Sequence, residues 1–268
     1  MTDLLAALLL GLIEGITEFL PISSTGHLLI AEHWLGARSE LFNVAIQAGA
    51  MLAVVLVYRQ RLWALARGWL HAEQRSYALK LLLAFALTAV LGLLAKKLGV
   101  MLPETVTPVA WALVLGGVWM LAAEAIAARR TARSGDVATI GWGTAALVGA
   151  AQVLAGVFPG TSRSAATIFV ALIAGTTNRV AATEFAFLLG IPTMFAATGY
   201  EVLALLQRPG GIAHEDWGAL SAAFVMSTLT AFVAVTWLLR YLQSHRFTVF
   251  AWYRIALGLV LLVALQGH

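Results

Sequence analysis

Six apolar runs dominate the chain, near residues 42–58, 78–98, 105–128, 181–206, 217–239 and 248–266. Each is long enough, or nearly so, for the ~20 residues that a helix needs to cross a hydrocarbon core. No water reaches a free backbone N–H or C=O inside that core, so such runs must satisfy their own hydrogen bonds as helices. Composition removes a soluble alternative: 61% of the residues are hydrophobic and 11% charged, against roughly 25% charged in an average soluble domain. With 17 Lys and Arg and 13 Asp and Glu in 268 residues, there is too little charge to clothe a soluble surface. The fold class that follows is an all-α polytopic membrane protein. The sequence contains no cysteine, which excludes disulfides, thiolate nucleophiles and Cys-ligated metal sites. The net charge of +4 sits in short basic clusters between apolar runs, a topological pattern and not that of a nucleic-acid binder. Asp3, with no Lys or Arg ahead of the first apolar stretch, is unlike a cleavable signal peptide, so the N-terminus is expected to be mature.

Two further apolar segments, 2–20 and 138–158, each run into a proline followed by small polar residues: Pro21-Ile-Ser-Ser-Thr-Gly and Pro159-Gly-Thr-Ser-Arg-Ser. After each break comes a stretch too short for a comfortable span, near 24–36 and 161–175. A helix hairpin that enters the membrane and returns fits best. Charge tests the idea, because a re-entrant hairpin leaves the chain on one face whereas a span moves it across. The loops at 59–77, 129–137, 176–180 and 240–247 then share a face and carry Arg59, Arg61, Arg67, Arg75, Arg129, Arg130, Arg133, Arg179, Arg240 and Arg246. The opposite face receives Arg38, Lys96, Lys97 and Arg208. The richer face is expected to be cytoplasmic and both termini periplasmic. Lys80, Arg163 and Arg254 fall within segments and do not enter that comparison.

An internal repeat matches the same plan. Gly11-x-x-Glu14-x-x-x-Glu18-x-x-Pro21 aligns with Gly149-x-x-Gln152-x-x-x-Gly156-x-x-Pro159 at a constant offset of 138. Residues 1–268 then form a single membrane domain of two repeats. Residues 1–133 hold the hairpin 2–36 and three spans, and residues 134–268 hold the hairpin 138–175 and three spans. Three is odd, so the second copy is expected to be inverted, with the two broken tips meeting near the midplane.

The ionisable residues cluster at those tips. Glu14 and Glu18, four apart on a helix, project from one face at depth. Intramembrane carboxylates are expensive, about 2.5–3.5 kcal/mol for an acid at a helix centre, and two together repel unless a proton or cation intervenes. They suit a divalent cation or acid/base work; the plainer reading is that Glu18 meets water at a helix end. Ser23-Ser24-Thr25-Gly26-His27 opens the return helix, where one hydroxyl caps the helix and the free N–H groups favour an anion. Pro159-Gly160-Thr161-Ser162-Arg163-Ser164-Ala165-Ala166-Thr167 repeats this with a guanidinium added, a good phosphate cradle unless Arg163 snorkels to the surface. Acids, hydroxyls, a histidine and an arginine around an apolar midplane suit a phosphorylated lipid. Because a diphosphate would be repelled by the two carboxylates, a bridging Mg²⁺ or Ca²⁺ is expected.

Glu14-Gly-Ile-Thr-Glu18-Phe-Leu-Pro-Ile-Ser-Ser-Thr-Gly-His27 and the Pro159–Thr167 segment resemble the two signature motifs of the bacterial undecaprenyl-pyrophosphate phosphatases, the bacitracin-resistance family. Phe42-Asn-Val-Ala-Ile-Gln47-Ala-Gly and Glu184-Phe-Ala-Phe-Leu-Leu-Gly-Ile-Pro192 resemble two further family segments. Ala186, Gly190 and the stretch Gly175–Arg179 depart mildly from the family's pattern. The resemblance implies a bacterial inner-membrane enzyme that converts undecaprenyl diphosphate to the monophosphate carrier used for envelope polymers. By it, Ser24 matches the proposed nucleophile, His27 a proton-transfer residue, Arg163 the phosphate-binding arginine, and Glu14 and Glu18 the acidic motif. Ser23, Thr25, Thr161, Ser162, Ser164 and Thr167 match supporting, phosphate-binding positions. Ser24 is expected to attack phosphorus with Glu18 or His27 managing its proton; attack by a metal-activated water is the competing route. The site is expected to open to the periplasm, with the lipid substrate and membrane lipids as partners, no nucleic acid, and a homodimer compatible with the sequence. Inverted repeats also occur in transporters, so flipping of the lipid is the rival function.

Overall fold

A computed structural model describes residues 3–100, 105–207 and 215–266. Among these every regular element is helical: α1 (Asp3–Thr17), α2 (Ser24–Leu35), α3 (Glu40–Val57), α4 (Arg59–Arg67), α5 (Ala72–Leu98), α6 (Val106–Ser134), α7 (Trp142–Val157), α8 (Arg163–Ala174), α9 (Arg179–Leu206), α10 (Trp217–Tyr241) and α11 (Thr248–Gln266). A 3₁₀ turn, Gly68–Leu70, follows α4. Five helices, α3, α5, α6, α9 and α10, are long and apolar enough to cross a membrane. α11, with 19 residues, occupies the sixth apolar run. Residue 2 and Arg208, used in the hairpin bounds and the charge comparison, lie outside the described residues.

The helices extend beyond the apolar runs where polar residues carry them on. α5 begins at Ala72 through Gln74 and Arg75, and α6 continues to Ser134 through Arg129, Arg130 and Arg133. These are good helix formers, and hydropathy registers only the apolar portion. α4 falls in a stretch read as a loop; its turn is held by Leu65, which is buried, and by the Arg67 guanidinium 4.1 Å from the Trp63 ring centre. On α5 Leu82, Val90, Leu93 and Leu94 are all exposed. Large side chains of this kind face hydrocarbon, not water.

The ends of each broken helix pair lie together. Arg38, past the end of α2, pairs with the Asp3 carboxylate at 2.7 Å. In the second pair, Thr177 and Asn178 donate their backbone N–H groups to the Val137 carbonyl at 2.9 and 3.1 Å. The side chains of Asn178 and Asp136 join at 2.8 Å.

Each first hairpin helix packs chiefly on the other half of the chain. Gly11 of α1 lies against α10, where a Cβ would stand 2.3 Å from the Ala223 carbonyl oxygen. Gly149 of α7 lies against α5, where a Cβ would stand 2.4 Å from the Ala84 oxygen. The Thr88 hydroxyl then donates to the Gly149 carbonyl at 2.8 Å. Without a hydrophobic drive between helices in lipid, close backbone approach at small residues supplies the packing. A second anchor lies far from the breaks: Glu124 of α6 is buried and accepts two bonds from Arg179 of α9, at 2.9 and 2.6 Å. It also accepts the Phe247 N–H at 3.1 Å, which fixes the start of α11.

Candidate active site

The two breaks share a backbone solution. Among the described residues, Ser23 (φ 76°) and Ser162 (φ 68°) alone among non-glycines have positive φ. Each is an N-cap, and its side chain accepts a backbone N–H three residues on, from Gly26 or Ala165, at 3.3 Å in both cases. Such conformations cost about 1–3 kcal/mol each and cluster at functional sites. They turn the chain sharply enough for α2 and α8 to start beside the helices they follow.

The breaks meet at Glu18. Its Oε2 accepts the Ser24 hydroxyl at 2.5 Å, and its Oε1 accepts Nη2 of Arg163 at 2.6 Å. One carboxylate thus joins a hydroxyl of the first hairpin to the guanidinium of the second. Glu18 is 7% exposed, whereas the Arg163 side chain is 29% exposed. The arginine is therefore partly exposed while the carboxylate it holds is buried. Ser164 adds a weaker link, its hydroxyl reaching the Leu20 carbonyl at 3.4 Å and the Ser162 hydroxyl at 3.1 Å.

Of the two candidate partners for Ser24, Glu18 is the one in contact. His27, expected to approach Ser24 from one helical turn away, turns elsewhere. Its Nδ1 is 2.7 Å from the Ser23 carbonyl and its Nε2 2.7 Å from the Tyr253 hydroxyl. A carbonyl only accepts, so Nδ1 carries the proton; in the neutral ring Nε2 accepts from Tyr253. The two rings stack with centroids 5.6 Å apart.

Thr25 and Thr161 are half-buried beside Ser24 and Arg163. Thr167 is buried, and its hydroxyl proton stays within α8, directed to the Arg163 carbonyl at 2.8 Å. Glu14 is fully buried one turn before Glu18, and neither of its carboxylate oxygens has a hydrogen-bond partner. Its counterpart in the repeat, Gln152, is likewise buried with both polar atoms unpartnered. An uncharged amide there leaves the acidity with the first hairpin.

Two residues of α11 were not legible as site residues. Tyr253 supplies the partner of His27. Arg254, fully buried, donates to the carbonyls of Pro21, Gly160 and Thr161 at both breaks and of Ala112 and Leu113 in α6. The available signal was an arginine midway along an otherwise apolar run, which an intramembrane charge makes a functional candidate by default. Beside the second break lies an apolar cavity of about 400 Å³, lined among others by Trp111, Trp119, Leu154, Phe158, Pro159 and Thr161.

Five helices long and apolar enough to cross a membrane define a multi-pass membrane protein, and its two breaks bring a hydroxyl, a carboxylate and an arginine together beside an apolar cavity. Residues 7–260 match the family model described as bacitracin resistance protein BacA. The chain is 63% identical over 260 residues to a Rhizobium etli protein named undecaprenyl-diphosphatase, covering 97% of this chain and 96% of that protein. It is 58% identical over 267 residues to a Xanthomonas oryzae pv. oryzae protein of the same name, covering 100% and 99%. The chain belongs to the bacitracin resistance protein BacA family.

Proposed function

We infer that this chain hydrolyses undecaprenyl diphosphate to undecaprenyl phosphate and inorganic phosphate, returning the carrier to peptidoglycan synthesis and conferring bacitracin resistance. Family membership and full-length relatives named undecaprenyl-diphosphatase support the reaction. The observation that carries the mechanism is the Glu18 carboxylate shared by Ser24 and Arg163.

The diphosphate draws Arg163 from Glu18 to its terminal phosphoryl oxygens. Released from the guanidinium, Glu18 takes the Ser24 proton as Ser24 Oγ attacks the terminal phosphorus. The bridging P–O bond breaks, the lipid monophosphate leaves, and water then cleaves the phosphoserine to inorganic phosphate. Arg163 and the N–H groups at the start of α8 hold charge on the transferring oxygens. His27, with its proton fixed on Nδ1, serves proton transfer through Nε2 and Tyr253. The prenyl chain has a place in the apolar cavity beside Pro159 and Thr161.

A divalent cation, Mg²⁺ or Ca²⁺, fits the donor set. The two unpartnered oxygens of buried Glu14, one turn from Glu18, are the hard ligands such ions take. No group of three or more acidic or histidine residues among those described could hold a metal, so phosphate oxygens and water would complete the shell. When bound, the ion neutralises phosphate charge.

The paired ends of each hairpin, at Arg38 with Asp3 and at residues 136–137 with 177–178, support two re-entrant hairpins and six spans. The crossed packing of Gly11 and Gly149 supports an inverted repeat. With the basic loops cytoplasmic, both termini and the site's mouth face the periplasm of a bacterial inner membrane. The same repeat favours lipid flipping as the second reading.

The deciding experiment is phosphate release from undecaprenyl diphosphate by purified protein in detergent with Mg²⁺ or Ca²⁺. Release is expected from the wild type and lost in Arg163→Ala, Ser24→Ala and with chelator. A single-turnover reaction should trap phosphoserine; active enzyme without it would leave direct attack by water. No release from folded wild type would transfer the role to lipid flipping, measured in liposomes.

A further inference from the structure

Arg254 presents a buried cation whose bonds all go to backbone. A guanidinium has five N–H donors in a rigid fork, and this one meets five carbonyl oxygens on three stretches of chain. Nη1 donates to Pro21 at 3.4 Å and Thr161 at 3.0 Å. Nη2 donates to Gly160 at 3.0 Å and Ala112 at 2.9 Å, and Nε to Leu113 at 3.5 Å. Room for the fork comes from Gly116, where a Cβ would stand 2.2 Å from Nη2.

We propose that Arg254 is a positioning residue for phosphoryl transfer, a clip that fixes the first break against the second. The inference rests on the phosphatase reading. Pro21 lies three residues before Ser24, and Thr161 two before Arg163, so Nη1 alone ties the nucleophile's segment to the phosphate-binding one. The strained turns at Ser23 and Ser162 lie between those anchors and the reacting groups. The Glu18–Arg163 bond also joins the breaks, but the substrate must open it. Arg254 bonds to backbone carbonyls and not to the carboxylate that the phosphate displaces, so its clip persists when that ion pair has parted.

The test uses Arg254→Lys, Arg254→Gln and Gly116→Ala in the full chain. A misplacement of about 1 Å between reacting groups reduces rate about 100-fold, so kcat should fall by that order in both Arg254 variants. KM should move by no more than about threefold, since the phosphate's own contacts remain. Lysine should not rescue, because an ammonium cannot span the five oxygens. Gly116→Ala, whose Cβ would stand 2.2 Å from Nη2 and 2.9 Å from Cζ of Arg254, should displace the fork and show the same pattern.

The absence of native cysteine permits a readout independent of activity. Spin labels on Ile16→Cys and Phe158→Cys, both exposed positions next to the breaks, should report one narrow distance in the parent and a broadened one in Arg254→Gln. Rescue by lysine, a change in KM alone, wild-type kcat in Gly116→Ala, or an unchanged label distance would each overturn the clip. If the parent releases no phosphate, the phosphatase reading fails, while the label distance still decides whether Arg254 holds the breaks together.

Discussion

Replacing Glu18 with Gln keeps the side chain's shape and removes its charge, and the two bonds it makes predict separate falls in two kinetic constants. Toward Ser24, at 2.5 Å, the change removes the proton acceptor; general-base catalysis contributes roughly 10²–10⁴-fold, so kcat should fall within that range. Toward Arg163, at 2.6 Å, it removes the partner that the substrate must displace. Hydrogen bonds to charged groups contribute about 1.5–3 kcal/mol. With the Arg163 side chain 29% exposed, solvent screening brings the value to the low end. About 1.4 kcal/mol is tenfold in affinity, so KM should fall about tenfold while kcat collapses. Initial rates of phosphate release in detergent, over a substrate series, measure both. A rise in KM at unchanged kcat would refute the reasoning, since Glu18 would then only help to bind substrate or metal.

Tyr253→Phe removes the hydroxyl on Nε2 of His27; a single such bond bears up to about tenfold in rate, and the pH–rate profile should move with no loss of thermal stability. Gly149→Val drives side-chain atoms into the Ala84 carbonyl and should destabilise the protein by about 1–3 kcal/mol, seen as a lower melting temperature in detergent. Glu124→Gln weakens two charge-assisted bonds from the partly exposed Arg179 and should cost about 1.5–3 kcal/mol, with activity per folded molecule preserved. A cysteine at position 38 should react with a membrane-impermeant maleimide from the periplasm; labelling only from the cytoplasm would overturn the assigned topology.

Sequence pattern exposed much of this arrangement because bilayers punish irregular backbone. Pro192 sits inside unbroken α9, so it is the small polar residues following Pro21 and Pro159 that marked these two as breaks lining something other than lipid, which brought Ser24, Glu18 and Arg163 into one account. Six helices fall on the apolar runs to within a few residues, apart from the polar extensions of α5 and α6. What escaped was long-range or local in ways that hydropathy does not record. α4 is held by Leu65 and by a stacked Arg67, invisible to a window average. Spacing along α2 puts His27 near Ser24, but a carbonyl one turn back and a tyrosine on α11 compete for the ring and win. Arg254 reads as one charge in an apolar run until the backbone it serves is located.

The crossing of the two halves also dictates an order of assembly. α1 rests its Gly11 and Gly15 on α10, yet Trp217, where α10 begins, leaves the ribosome long after Thr17. At roughly 5–20 residues per second the acidic helix must wait some tens of seconds for its partner, with Glu14 and Glu18 already made. Lying dry in lipid during that interval would cost about 2.5–3.5 kcal/mol for each carboxylate. Either the insertion machinery shelters it or it stays in the interface until α10 arrives. Biogenesis of the first hairpin is thus post-translational in effect, although it is the first part of the chain to be synthesised.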